Sequence, residues 1–155
     1  MNTIYVKVAL LVALSICTLS PAFARRIYRF DKDFVMNDGK LQIKVVKVQE
    51  LSEWAGLVVE VLLTNSGSEI ATFNVDEVEL VNNDNNEVFY SISKDKSMVS
   101  LPHQVGNRNI LLRVATVNPD RTSRGCILYM PGKQIKKLKD FDVIYKGQKL
   151  NVSAR

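Results

Sequence analysis

Few residues in this chain have side chains suited to catalysis. The only histidine is His103, and the two cysteines are Cys17 and Cys126. A cysteine nucleophile needs a nearby base and a lowered thiol pKa, and no motif joins Cys126 to His103. The sequence also lacks the Gly-x-Ser-x-Gly elbow of many serine hydrolases. These features predict a protein that is not an enzyme, while an enzyme built on Cys126 and His103 stays open as an alternative.

Cys126 belongs to the stretch GCILYM, residues 125–130, which predicts a β-strand. Because side chains alternate along a strand, Cys126, Leu128 and Met130 share one face and Ile127 lies on the other. A free cysteine behaves as a small apolar residue and is often buried. We therefore expect Cys126 to be a core residue inside stacked sheets. A disulfide to a second chain is the other possibility for a single thiol.

Metal chemistry is limited by the same small set of residues. One histidine and one cysteine outside the first 24 residues cannot form a zinc finger, a three-histidine zinc site or a blue-copper centre. Met98, His103, Cys126 and Met130 could bind Cu(I) if the fold brought them together. Methionines at alternating strand positions more often pack in a core, so we expect no metal and no other cofactor.

These residues lie among short apolar alternations separated by polar turns, a pattern typical of an all-β domain. We predict an immunoglobulin-like antiparallel β-sandwich of about seven to nine strands, with a closed barrel as the alternative. In LQIKVVKVQE (41–50) the apolar residues occupy odd-numbered positions up to Val45 and even-numbered positions from Val46 onward. This switch of face predicts a β-bulge. NILLRVAT (109–116) predicts a further strand, and FDVIYKGQKLNV (141–152) predicts a closing hairpin.

The first 24 residues, MNTIYVKVALLVALSICTLSPAFA, have the features of a secretory signal peptide. They contain one cation, Lys7, then a short apolar run, then Ala-Phe-Ala. The apolar run is shorter than the roughly 20 residues that a membrane-spanning helix needs. We predict cleavage after Ala24 and a single domain over residues 25–155 that is periplasmic or secreted, with an uncleaved anchor as the alternative. We expect the mature chain, after cleavage, to have no integral membrane span and no nucleic-acid partner.

The chain is basic, with 21 lysines and arginines, 16 acidic residues and a formal charge of +5. Arg25, Arg26 and Arg29 form one cationic group, and the lysine-rich connector 133–139 forms another. For an exported protein the available polyanions are lipid headgroups, lipopolysaccharide and surface polysaccharide. The stretch 93–107 has no clear period and predicts a long loop, and loops on rigid scaffolds often bind partners. The candidate binding residues of the loop and the connector are Lys94, Lys96, Met98, His103, Lys133, Lys136, Lys137 and Lys139.

Four stretches follow one another along the chain: LLTNSGSEIATFN, LVNNDNNEVFY, RGCILYMPGK and FDVIY. Over residues 41–152 this order of strands and turns resembles the immunoglobulin-like secreted bacterial domains of unknown function typified by the mycobacterial immunoprotective extracellular antigen. The resemblance implies a β-sandwich fold and an exported location, and it implies no catalytic residues.

The export signal, the β-sandwich pattern and the missing catalytic set together predict an exported, non-catalytic binding or accessory protein of the bacterial cell envelope. Its partner is expected to be an envelope protein or an anionic envelope surface. A structural subunit of a larger envelope complex is the other interpretation of the same features.

Overall fold

The computed structural model of the protein describes residues 26–51, 55–95, 104–105 and 107–155. The predicted signal peptide and three of the candidate binding residues, Lys96, Met98 and His103, lie outside these ranges. The described chain consists of antiparallel strands with two short 3₁₀ helices, Val75–Glu77 and Gly132–Lys137. None of its helical segments has the length and apolar content required to cross a bilayer.

The strands vary widely in length. In chain order they are β1 (Tyr28–Phe30), β2 (Met36–Asp38), β3 (Leu41–Leu51), β4 (Gly56–Asn65), β5 (Ala71–Asn74), β6 (Glu79–Asn82), β7 (Val88–Tyr90), β8 (Gln104–Val105), β9 (Arg108–Asn109), β10 (Val114–Val117), β11 (Arg121–Tyr129), β12 (Asp140–Tyr145) and β13 (Gln148–Ala154). The prediction of about seven to nine strands compares with thirteen in the described residues. The excess consists of strands of two or three residues, which are too short to show an apolar alternation in the sequence.

Two antiparallel sheets form the body of the molecule. One has five strands in the order β1-β13-β12-β6-β7, and the other has four in the order β11-β4-β3-β2. Two small sheets, β10-β5 and β8-β9, complete the described part of the fold. Inward side chains of both large sheets form one buried cluster, which includes Phe141 and Tyr145 from one sheet and Leu57 and Tyr129 from the other. The predicted antiparallel β-sandwich is therefore confirmed.

The bulge predicted in β3 is present. Val45 pairs with Val61 of β4, but the next paired residue of β3 is Lys47, so Val46 is the extra residue. The extra residue lets Val45 and Val48, which are three positions apart, both face the cluster between the sheets.

The four-stranded sheet is also covered on its outer face. A second cluster of buried residues lies there, formed by Val58, Ile92, Ile110, Cys126 and Leu128. Two backbone hydrogen bonds hold the covering segments in place: the Ile92 N–H donates to the Leu128 carbonyl, and the Leu111 N–H donates to the Cys126 carbonyl. Cys126 is buried as expected, but it lies beneath these segments and not between the two stacked sheets.

The prediction of one strand over residues 109–116 is wrong. The structure breaks this stretch between β9 and β10, and Arg113 adopts a positive φ of 56°. Ile110 turns into the outer cluster, whereas Val114 is 54 % exposed. The alternation in the sequence therefore covers two short strands that belong to different sheets.

Candidate functional site

The two sides of the sandwich are built differently. On one side the chain leaves β7 and bridges to the other sheet, where Ser91 pairs with Tyr129 at the end of β11. On the opposite side β1 is the edge of the five-stranded sheet. There β2 pairs with β3 only from Leu41 to Ile43, so in the described residues the rest of β3 has β4 as its single strand partner. This second side is called the open side below.

A groove of about 350 Å³ runs along the open side between β1 and β3. Three cations line it, together with apolar side chains of both strands, and no carboxylate is among its described lining residues. Arg26 precedes β1, Lys32 follows β1, and Lys47 comes directly after the bulge of β3. The groove therefore presents a positively charged, partly apolar surface.

One end of the groove is fixed by a hydrogen-bonded triad. The Tyr28 hydroxyl donates to Oε1 of Glu50 at 2.7 Å, and Nη1 of Arg26 lies 3.5 Å from the same oxygen. Burial, and next the hydrogen bond to Glu50, raise the pKa of Tyr28 well above its usual value. Tyr28 consequently stays protonated at physiological pH and remains a donor to the carboxylate.

Arg26 also joins the two cationic groups identified in the sequence. Its Nη1 donates to the carbonyl oxygen of Ile135 at 2.9 Å, and its Nη2 donates to the carbonyl oxygen of Lys136. These carbonyls belong to the last turn of the 3₁₀ helix Gly132–Lys137. The Ile135 carbonyl also accepts a hydrogen bond from the Leu138 N–H. The guanidinium thus attaches the lysine-rich connector to the open side.

The connector is anchored at both ends and exposed between them. Pro131 and Leu138 are buried on either side of the helix. The lysine side chains that it carries all reach solvent, and they are Lys133, Lys136, Lys137 and Lys139. We refer to these four lysines with Arg26 as the basic patch.

Lys94 lies elsewhere in the fold. Its Nζ is 3.9 Å from the centroid of the Tyr90 ring and 3.9 Å from Oε1 of Glu79. Tyr90 ends β7, at the closed edge of the five-stranded sheet. The structure therefore brings four of the eight candidate residues together in the connector, places Lys94 at a different edge, and does not describe Lys96, Met98 and His103.

The surroundings of Cys126 oppose a nucleophilic role. Cys126 pairs with Glu60 across β11 and β4, and it is 1 % exposed. Burial, and next the negative charge of Glu60, raise the pKa of the thiol to about 11. Because the thiolate is the strong nucleophile and metal ligand, the raised pKa makes this side chain a poor one at neutral pH.

Glu60 is itself engaged by two arginines. Its Oε1 accepts a hydrogen bond from Nε of Arg124, and its Oε2 lies 3.9 Å from Nε of Arg108. Arg108 belongs to β9, so this contact ties the covering segment to the sheet. In the described residues no group of three or more His, Cys, Asp or Glu side chains is arranged to hold a metal ion.

Sequence reasoning did not identify Lys32 and Lys47 as groove residues. The parity change at Val46 marks the bulge beside Lys47, but the free edge of β3 depends on how far β2 extends along it. Strand β2 is three residues long in the structure, and residues 31–40 contain no apolar alternation from which this length could be predicted.

Comparison with known proteins supports the fold. The chain matches no protein-family model, and no curated protein gives a significant match. It is similar in structure to a functionally unknown protein from Listeria monocytogenes EGD-e, with a TM-score of 0.52, 10% identity, and coverage of 83% of this chain and 84% of that one. A conserved hypothetical protein from Bacillus anthracis gives a TM-score of 0.51 at 13% identity over 84% of this chain and 99% of that one. These neighbours are bacterial proteins of similar all-β fold, and at such identities the likeness concerns the fold alone.

Proposed function

We propose that this chain is an exported, non-catalytic binding protein of the bacterial cell envelope, and that its basic patch contacts an anionic envelope surface. One observation carries the proposal: the Arg26 guanidinium, bonded to the Ile135 and Lys136 carbonyls, joins two cationic groups that are far apart in the sequence. Export is inferred from the signal features of residues 1–24, and the immunoglobulin-like relationship to the secreted mycobacterial antigen type belongs to the same proposal.

The geometry of the patch suits a flat anionic partner. Pro131 and Leu138 anchor the connector, so its exposed lysines project from a fixed backbone. Each lysine or arginine near an anionic lipid surface contributes about 1 kcal/mol of attraction. Ile27 follows Arg26 and is 69 % exposed, which supplies an apolar side chain for insertion between headgroups.

The proposal is non-catalytic because the best nucleophile is disabled by its surroundings. Cys126 is buried and its pKa is raised to about 11. The adjacent carboxylate, Glu60, forms ion pairs with Arg124 and Arg108. These contacts favour a structural role for the only thiol in the described residues.

Vesicle binding tests the proposal. The variant Lys136→Glu/Lys137→Glu reverses two charges of the patch, and we expect it to weaken binding to phosphatidylglycerol-containing vesicles by about tenfold or more. The matched control is Lys40→Glu/Arg121→Glu, which changes the net charge equally at the opposite end of the four-stranded sheet, beside Asn65.

Equal losses in the two variants would mean that net charge alone drives the association, and the patch would be rejected. The same would follow if neither variant changed binding. Sequencing the N-terminus of the protein recovered from its native envelope checks the export part, for which a first residue of Arg25 is expected.

A further inference from the structure

We propose that the groove between β1 and β3 binds an extended acidic peptide segment of a partner protein, which adds as a strand to the free edge of β3. This inference goes beyond the proposed function, because it concerns a protein partner and a surface formed by Lys32 and Lys47. Arg26 belongs to both surfaces, so the two proposals are separated by variants at Lys32 and Lys47 on one side and at Lys136 and Lys137 on the other.

The first argument is the free edge. Beyond Ile43, the described part of β3 is hydrogen-bonded to a strand on one side only, through β4. An edge strand presents unpaired backbone N–H and C=O groups, which form a template for another extended chain. Strand addition to such an edge is a recurrent mode of peptide recognition.

The second argument is the placement of charge. Arg26 and Lys32 flank β1 in the sequence, so they stand toward opposite ends of the groove, and Lys47 lines the wall formed by β3. An extended segment of about six residues spans roughly 20 Å, which is longer than the three-residue strand β1. Carboxylates spaced along such a segment can meet Lys32 and Lys47. Glu50, the carboxylate at one end of the groove, is already held by Tyr28 and Arg26.

The third argument concerns specificity. A bulge and lysines on an edge strand normally prevent two copies of the same edge from pairing. The β3 edge has both, since Val46 is the bulged residue and Lys47 follows it. The Lys47 ammonium that repels a second basic edge attracts an acidic segment, so the same charge that opposes self-association favours an acidic partner.

The probe for the experiment is a peptide taken from a phage-displayed random decapeptide library that is panned on the purified protein. We expect enrichment of peptides with aspartate or glutamate at spaced positions. A synthetic copy should bind the variant Lys32→Glu/Lys47→Glu about tenfold more weakly, and it should bind Lys136→Glu/Lys137→Glu with little change.

Backbone pairing is tested separately from charge. N-methylation of alternate amides removes donors from one edge of the peptide and leaves its carboxylates in place. We expect one of the two alternating N-methylated forms to lose binding, because strand addition requires those donors. Full binding by both forms would reject strand addition.

Two further results would overturn the inference: no enrichment of acidic peptides, or an equal loss of peptide binding in the connector variant. Because Lys47→Glu places a carboxylate opposite Glu60, the variant Lys32→Gln/Lys47→Gln provides a second measurement without that repulsion. Vesicle binding of both groove variants is expected to match the unmodified protein, so failure of the peptide result leaves the anionic surface contact to its own test.

Discussion

Cys126 lies directly opposite Glu60 in the register of β11 and β4, so a buried thiol and a buried carboxylate are neighbours on the outer face of the sheet. Arg108 reaches the same carboxylate from β9, and the Leu111 N–H donates to the Cys126 carbonyl. The thiol is thus covered by a segment that an ion pair and a backbone hydrogen bond attach to the sheet. Reactivity of this sulfur therefore reports how well the segment is attached.

The first prediction concerns the pKa of Cys126. Because the pKa is raised from 9.0 to about 11, the thiolate population near neutral pH is about a hundredfold lower than for an ordinary thiol. Alkylation by iodoacetamide in the folded protein should be slower than in urea by at least that factor. Glu60→Gln should lower the pKa and Arg124→Gln should raise it, since the carboxylate opposes the thiolate and the guanidinium favours it. Alkylation of Cys126 at the same rate in the folded protein and in urea would refute the raised pKa.

The second prediction concerns the contact between Gly125 and Leu111. A Cβ at position 125 would overlap Cδ2 of Leu111, so Gly125→Ala forces this side chain away from β11. We expect a loss of about 1–3 kcal/mol in the free energy of unfolding, measured by urea denaturation, together with faster labelling of Cys126. The double variant Leu111→Ala/Gly125→Ala should lose less than the sum of the two single variants, because the clash is removed. Strict additivity would show that the two residues do not meet.

Local features of the fold follow directly from the sequence. The bulge at Val46 is visible as a change of apolar parity, because each strand residue must face one side of the sheet or the other. The hairpin that joins β12 and β13 turns at Lys146 and Gly147, which have φ values of 48° and 77°. This geometry is the tight turn that such a short connection favours, so the predicted closing hairpin agrees with the structure.

The outer cluster could not be predicted in the same way. Val58 is buried because Ile92 and Ile110, more than thirty residues further along the chain, pack over it. Apolar residues on both faces of β4 do indicate a strand buried on both faces, but they do not identify the segment that covers it. The groove is equally non-local, since β1 and β3 belong to different sheets.

The third prediction concerns the attachment of the connector. Arg26→Ala removes two hydrogen bonds to the Ile135 and Lys136 carbonyls and the ion pair with Glu50. We expect a loss of about 1–2 kcal/mol in unfolding free energy and faster tryptic cleavage after the connector lysines in the native state. Arg29→Ala, an exposed substitution within β1, is the matched control. If the connector is cut at the same rate in both variants, Arg26 does not hold it.

The fourth prediction concerns stability in acid. The Lys146 ammonium, and next the Tyr145 hydroxyl, donate to Oδ2 of Asp38 at 2.9 and 2.8 Å, and these bonds hold the pKa of Asp38 below its usual value of 3.8. A carboxyl group whose pKa is lowered by folding stabilises the native state above its usual pKa, and this contribution disappears as the pH falls through the lowered value. Asp38→Asn should therefore reduce the melting temperature at neutral pH and reduce it much less in strong acid. Tyr145→Phe removes one donor and should produce a smaller change of the same kind, while Lys149→Gln, an exposed lysine on β13, should not alter the pH profile. A difference between Asp38→Asn and the unmodified protein that stays constant down to strong acid would contradict the assignment.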